Sequence, residues 1–87
     1  MFELTDTPKL SRLFRMQWEE AQNAYVLLYP EGMVKLNQSA SEILKRCDGN
    51  SDVAAIVAQL EIAFAQTELQ DQVQSFLSDA SERGWLV

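Results

Sequence analysis

The sequence contains no histidine and a single cysteine, Cys47, among its 87 residues. Without histidine, neither a Ser-His-Asp nor a Cys-His catalytic arrangement can be built. One cysteine cannot form an intramolecular disulfide or a Cys-x-x-Cys metal site. The three glycines are far apart, so there is no glycine-rich phosphate loop. These absences argue against most enzymatic functions and give no reason to expect a metal or a cofactor.

Long apolar runs are missing as well. No stretch approaches the roughly 18 apolar residues that a membrane helix needs. The first ten residues, MFELTDTPKL, lack the basic start and apolar run of a secretory signal. With a lone cysteine, this predicts a cytoplasmic location. The composition, 47% hydrophobic and 23% charged, is typical of one globular domain spanning residues 1–87.

Cations are few and unevenly distributed. Residues 51–87 contain one, Arg83, against six Asp and Glu, whereas residues 1–50 contain six Lys and Arg against seven Asp and Glu. The net charge of −6 is therefore concentrated in the second half of the chain. Such a surface should repel nucleic acid and attract a basic partner.

The first half of the sequence has the pattern of a small sheet. Residues 1–11 show no period and predict a loose N-terminal arm. Polar and apolar residues alternate through Leu13–Glu19, and Tyr25–Tyr29 is apolar on both faces, as expected for a central strand. After a turn in which Gly32 is expected to be left-handed, Met33–Leu36 predicts a third strand at the sheet edge.

From residue 38 onward the period changes to about 3.6, which predicts three helices. Asn37, Ser51 and Thr67 are the expected N-caps, while Asp48-Gly49 and Gly84 are the expected stops of the first and third helices. The predicted inward-facing residues are Ala40, Ile43, Leu44 and Cys47, then Val53, Ile56, Val57, Leu60 and Phe64, then Leu69, Val73, Phe76, Leu77 and Ala80. Residues 85–87 predict an extended anchor. The fold class is α+β, resembling a winged helix-turn-helix, with a three-stranded antiparallel N-terminal sheet followed by a three-helix bundle.

Several side chains have both a chemical and a structural interpretation. Cys47 could be a nucleophile, but its helical position favours a core residue. Glu19–Glu20 could be an acid/base pair, but adjacent strand residues point to opposite faces. Trp18, Tyr25 and Trp85 could stack on bases or a cofactor, but in a domain this small they are more often core or anchor residues.

The helical half raises the question of DNA binding. The predicted third helix has no Lys or Arg before Arg83, so it lacks the phosphate-neutralising charge that a major-groove reader needs. A DNA-binding regulator is therefore the second hypothesis. The first is peptide binding, because an edge strand offers backbone groups to which an extended peptide can pair.

Residues 10–49 closely resemble the PqqD family, the pyrroloquinoline quinone biosynthesis proteins D. The matching motifs are RLFRMQWE (12–19), VLLYPEGMVKLN (26–37), SASEIL (39–44) and CDG (47–49), and the ending GWLV (84–87) also fits. The resemblance covers nearly the whole chain beyond the first eight residues.

The resemblance implies a function without catalysis. Members of this family are peptide chaperones of the recognition-element type, which bind the leader of a ribosomally made precursor peptide, here PqqA. They deliver it to a radical S-adenosylmethionine enzyme, PqqE, which joins a Glu and a Tyr side chain of that peptide. The free strand edge and the arm would also allow a homodimer by strand pairing or exchange.

The resemblance also implies where the partners bind. The leader is expected to add beside the third strand, at Met33, Val34, Lys35 and Leu36, and to pack on the third helix at Gln72, Val73, Phe76, Leu77 and Ala80. Contact with the enzyme is expected at Gln17, Trp18, Glu19, Cys47, Asp48 and Gly49. Proline at Val34 is expected to weaken peptide binding more than folding.

Overall fold

Three strands precede three helices in the computed structural model, which describes residues 2–87. The elements are β1 (Arg15–Glu19), β2 (Ala24–Tyr29), β3 (Gly32–Lys35), α1 (Gln38–Lys45), α2 (Val53–Ala63) and α3 (Gln70–Glu82). This confirms the predicted fold class. α1 packs on β2 and on α2, and α2 packs on α3.

The sheet is an antiparallel meander in the order β1-β2-β3. β2 is central because it is apolar on both faces: Val26 and Leu27 are each 0% exposed, although they point to opposite sides. Leu27 faces the helices and belongs to the main core, whereas Val26 lies on the other face. β3 lies at an edge, as predicted.

The first two helices begin at side-chain caps. Asn37 caps α1 as predicted, its Oδ1 accepting the Ala40 N–H at 2.8 Å. The prediction for α2 was wrong by one residue: Asp52, not Ser51, is the cap, and its Oδ1 accepts the Ala55 N–H at 2.8 Å. Both residue types can cap, and the carboxylate adds a favourable interaction with the helix dipole.

The third helix begins without a cap of its own, so the prediction of Thr67 was also wrong. Leu69 occupies the N-cap position and its side chain makes no capping bond. Its N–H instead donates to the Glu61 Oε2 of α2 at 3.1 Å. A carboxylate from a neighbouring helix thus satisfies a backbone donor at this end, which a local sequence pattern cannot reveal.

Two of the three glycines do not have the structural roles expected from the sequence. α1 ends at Lys45, before the predicted Asp48-Gly49 stop, although Gly49 does adopt a φ of +82° in the following turn. Gly32 begins β3 and is not left-handed. Gly84, with a φ of +80°, ends α3 as predicted.

The end of α2 has alanine where glycine is usual. Ala65 has a φ of +51°, and the Ala65 and Gln66 N–H groups donate to the carbonyls of Ile62 and Glu61 in a Schellman arrangement. We expect Ala65→Gly to increase the free energy of unfolding by about 0.5–1 kcal/mol because it relieves the left-handed alanine. Urea denaturation measures this, and the control Ala58→Gly, at an exposed position inside α2, should decrease stability.

One core joins the sheet to all three helices. Its buried members are Leu27, Leu36, Ile43, Leu44, Cys47, Val53, Ile56, Val57, Leu60, Leu69, Val73, Leu77, Ala80 and Leu86. Phe64, Phe76 and Trp85 pack at its margin. Over residues 2–87, none of the helices has the length and apolar composition needed to cross a membrane.

The N-terminal arm is held to the domain, in contrast to the loose arm expected from the sequence. The carbonyls of Leu4 and Asp6 accept the Ala54 and Val53 N–H groups at the start of α2, at 3.0 and 2.9 Å. Pro8 is fully buried. Residues 9–11 then pair with residues 47–48 and 85–87, so that the arm clasps both the α1–α2 turn and the C-terminal segment.

Candidate functional site

The outer edge of β3 presents a short row of backbone groups to solvent. In the register with β2, the Leu36 N–H donates to the Tyr25 carbonyl at 2.9 Å. Because bonded and non-bonded pairs alternate in an antiparallel ladder, the backbone of Val34 faces β2 and those of Met33 and Lys35 face outward. Within residues 2–87, β3 pairs with β2 alone, so these outward groups are available to another strand.

The side chains of β3 divide between the two faces of the sheet. Val34 packs against the core and Leu36, just beyond the strand, is 4% exposed within it. Met33 is 47% exposed on the opposite face, where Lys35 is also exposed. Of the four residues predicted to meet a peptide here, Met33 and Lys35 therefore offer backbone groups, while Val34 and Leu36 stabilise the strand from beneath.

The predicted residues of α3 divide in the same way. The side chains of Val73, Leu77 and Ala80 are at most 2% exposed, so they form the inner wall and do not present a contact surface. Gln72 is exposed and Phe76 is half-buried. Both line a shallow cleft of about 620 Å³ on the outer side of α3.

Acidic groups border that cleft. Asp71 and Asp79 line it together with Ser75. The Arg83 Nε donates to Asp79 Oδ2 at 3.2 Å, but this pair is well exposed and contributes little to stability. The cleft therefore has apolar and amide groups with a negative rim.

The N-terminal arm covers the opposite flank of α3. The Gln74 Nε2 donates to the Phe2 carbonyl at 3.0 Å. Phe2 and Asp6 form a second cleft with Ser78 and its neighbours. Since a helix presents residues 72, 76 and 79 on one side and 74, 78 and 81 on another, the arm leaves the Gln72–Phe76 flank open.

The residues predicted to contact an enzyme fall into two groups. Gln17, Trp18 and Glu19 lie at the end of β1, where Gln17 Nε2 donates to Glu19 Oε2 at 3.4 Å. Trp18 is 45% exposed and points to the face opposite those two. A partner can reach all three.

Cys47, Asp48 and Gly49 make contacts within the domain at the turn after α1, where Asp48 is exposed. The Cys47 thiol is buried and donates to the Ile43 carbonyl at 3.4 Å. Asp48 accepts the backbone N–H groups of Asn50 and Ser51, which lower the pKa of its carboxyl group. A side chain at Gly49 would come within 3.1 Å of Lys9. Because the Cys47 side chain is buried, it is not part of an exposed contact surface, whereas Asp48 is exposed.

Cys47 is expected to be chemically inert in the native protein. Burial, and then the nearby Asp48 carboxylate, raise the pKa of its thiol to about 12. Because the thiolate is the reactive form, native protein at pH 8 should resist iodoacetamide and react only when unfolded in urea. Mass spectrometry measures this, and rapid alkylation of native protein would contradict the assignment.

One cleft was not anticipated from the sequence. It has a volume of about 400 Å³ and lies between the β1–β2 hairpin and α1. Trp18 meets the Tyr25 ring edge-on at 5.2 Å, and the Lys45 ammonium lies 4.4 Å from the centre of the same ring. Glu42 is shared by Lys45 at 3.1 Å and Arg46 at 2.9 Å. The hydrogen bonds from Arg46 and then Lys45 lower the pKa of Glu42.

The described residues offer few groups with obvious reactivity and several exposed surface features. Within residues 2–87, no group of three or more acidic or cysteine side chains is placed to hold a metal ion. The thiol is buried, which raises its pKa to about 12, and Glu42 pairs with two cations, whose hydrogen bonds lower the pKa of its carboxyl group. The features left exposed are a strand edge, an acidic helix flank and an aromatic cleft.

Comparison with known proteins agrees with this description. The family model described as coenzyme PQQ synthesis protein D (PqqD) matches residues 24–86. The PqqA binding protein of Azotobacter vinelandii is 54% identical over 84 residues, which cover 95% of this chain and 91% of that protein. The PqqA binding protein of Stutzerimonas stutzeri is 49% identical over 85 residues, covering 97% and 92% of the two chains.

A solved structure shares the fold over the whole chain. It is the solution NMR structure of the PqqD truncation of PqqCD from Methylobacterium extorquens, which represents a functional and stand-alone recognition element for ribosomally synthesised and post-translationally modified peptides. The TM-score is 0.78 at 27% identity, with 100% of this chain and 95% of that chain covered.

Proposed function

The chain belongs to the family of coenzyme PQQ synthesis protein D (PqqD), and we propose that it is a non-catalytic peptide chaperone that binds the precursor peptide PqqA and presents it to the radical S-adenosylmethionine enzyme PqqE. The names of relatives up to 54% identical, which are PqqA binding proteins, support the first part. The free edge of β3 is the single structural observation that supports a binding mode.

In this proposal the PqqA leader adds as a fourth strand beside β3. The N–H and C=O groups of Met33 and Lys35 supply the main-chain hydrogen bonds, because they point away from β2. Backbone pairing of this kind is independent of side-chain identity. Specificity must therefore come from neighbouring pockets.

In this proposal the exposed flank of α3 supplies part of that specificity. Gln72 offers an amide and Phe76 offers part of an aromatic ring, in the same cleft. Asp71 and Asp79 at its rim favour a peptide with basic side chains. Affinity should then decrease as salt increases, because the rim is exposed and its charges are readily screened.

Binding should order the peptide and not the protein. The strand edge and the half-buried Phe76 rest on a packed core, so the receiving surface is already formed. A short free peptide loses conformational entropy when it becomes a strand, which reduces the net affinity. We expect a dissociation constant on the order of micromolar to nanomolar.

Titration calorimetry with synthetic PqqA and no enzyme tests the proposal. Saturable heat at about one peptide per chain is the expected result. A negative result in the absence of PqqE, followed by binding in its presence, would show that the chain is not an independent peptide receptor.

The alternative function is that of a winged helix-turn-helix regulator of transcription. The fold permits it, but the exposed side of α3 carries Asp71, Asp79 and Glu82 with Arg83 as the nearby cation. A recognition helix with this charge would repel phosphates. A gel shift with random duplex DNA at low salt should give no complex, and a retarded band that salt abolishes would favour the regulator.

A further inference from the structure

The free edge of β3 has side chains on both faces of the sheet. Val34 is directed toward the helices, whereas Met33 and Lys35 point to the opposite face, here called the outer face. Met33 is 47% exposed, and Lys35 is also exposed. These are the same two residues whose backbone N–H and C=O groups point away from β2. A strand that bonds to them is therefore brought against their side chains as well.

The pleat of the sheet determines which side chains of an added strand meet them. Residues that lie directly beside each other on neighbouring strands point to the same face. On the inner side of β3, Leu28 lies beside Met33 and Val26 beside Lys35 in this way. On the free side, the two peptide residues beside Met33 and Lys35 also have outer-face side chains and are two positions apart. The residue between them points to the helix side.

The surroundings of Met33 favour an apolar neighbour. Leu28, beside it on β2, is half-buried, and Val26 in the next row is fully buried. Met33 thus extends an apolar strip from the central strand to the free edge. About half of its side chain is still open to solvent, so an apolar side chain placed beside it would bury further area. The flexible thioether can adapt to an aliphatic or an aromatic partner.

The surroundings of Lys35 favour a carboxylate. The two rows of outer-face side chains that end at Met33 and Lys35 contain no Asp or Glu. Of the strand residues on this face, all of which the structure describes, Glu19 alone is acidic, and it lies on β1, where Gln17 donates to it. Within residues 2–87, no salt bridge involves Lys35. Its ammonium group would therefore attract an acidic side chain on the neighbouring strand.

We propose that Met33 and Lys35 select the sequence of the bound PqqA strand, which has an apolar side chain beside Met33 and an Asp or Glu, two positions away, beside Lys35. This inference rests on the proposed function, because strand addition at β3 is its premise. It makes the outer face a source of specificity in addition to the flank of α3.

The two faces together would also fix the register of the peptide. The acidic rim of the α3 cleft favours basic side chains on the helix side, whereas Lys35 favours acidic ones on the outer face. A slip of one residue moves every side chain of a strand to the other face. Such a slip would place the peptide charges against like charges on both faces, so the correct register is selected by charge as well as by shape.

Substitutions that keep the backbone N–H test the side chains separately from strand addition. In titration calorimetry with synthetic PqqA, Lys35→Glu and Met33→Ala should each weaken binding by at least about fivefold. Met33→Leu, which keeps the apolar surface, should restore it. Arg15→Glu is the matched control, since it reverses an exposed charge on the same face but on β1, and it should bind as the wild type does. Thermal melts show whether each variant is folded.

A gain of binding provides the reciprocal test, because misfolding cannot produce it. The probes are PqqA peptides in which each Asp or Glu is replaced in turn by Lys. One of them should bind the Lys35→Glu protein at least about fivefold more tightly than unmodified PqqA does. In the wild-type complex, an apolar residue two positions from that site should show nuclear Overhauser contacts to the Met33 methyl group.

The outcomes separate this inference from the proposed function. Wild-type affinity for PqqA in both Met33→Ala and Lys35→Glu would overturn the inference and leave the proposed function standing. An equal loss in Arg15→Glu would also overturn it, because the effect would then reflect overall charge and not a neighbour of β3. A wild-type protein that does not bind PqqA would contradict the proposed function and this inference with it.

Discussion

Lys35→Pro is expected to weaken PqqA binding by at least about tenfold, or about 1.4 kcal/mol, and to leave the fold intact. The backbone N–H of Lys35 points away from β2, so proline removes a donor that only an added strand would use. Proline is tolerated at edge strands in this orientation. Titration calorimetry gives the affinity, and circular dichroism confirms the fold.

Val34→Pro is the matched control, and its expected effect is the reverse of the sequence-based prediction. The register shows that the Val34 N–H faces the Leu27 carbonyl inside the sheet. Proline there removes an internal bond and disturbs a side chain packed on the core. We expect a loss of about 1–3 kcal/mol in folding stability. Normal PqqA affinity in a folded Lys35→Pro protein would contradict strand addition at β3.

Deletion of residues 1–8 is expected to produce the largest loss of stability. It removes the carbonyls of Leu4 and Asp6 from the start of α2, that of Pro8 from Gly49, and that of Phe2 from Gln74. It also removes the fully buried Pro8 side chain. At roughly 1 kcal/mol for each hydrogen bond, with part offset by the regained chain entropy, the loss should be about 2–4 kcal/mol.

Thermal and urea denaturation measure this loss. For a domain of this size it corresponds to a decrease in Tm of more than about 10 °C. Thr5→Ala is the control, because Thr5 is exposed in the same arm. An unchanged Tm after the deletion would show that the arm is as loose as the sequence alone suggested.

The elements of the fold were predictable because their signals are local. The alternation through β1, the apolar run of β2 and the 3.6 period of the helices each arise within a few residues of the chain. The helix caps were less predictable. Ser51 and Asp52 are adjacent and both competent to cap, so only the folded chain distinguishes them, and the partner of Leu69 comes from another helix.

The candidate site was predictable only in outline. The sequence located the edge strand, but it could not show which backbone N–H and C=O groups point away from β2. That alternation depends on the register between β2 and β3. It also assigned Val73, Leu77 and Ala80 to both the core and a binding wall, and burial assigns their side chains to the core. The cleft lined by Trp18, Tyr25 and Lys45 is formed by β1, β2 and α1 together. No contiguous motif in the sequence therefore indicates it.

Amide hydrogen exchange of this protein with and without synthetic PqqA, followed by NMR, tests strand addition most directly. The account predicts that PqqA slows exchange at Met33 and Lys35, whose N–H groups face the free edge, with little change at Val34, which is already bonded to β2. Saturating PqqA that leaves the Met33 and Lys35 amides exchanging as in the free protein would contradict the account.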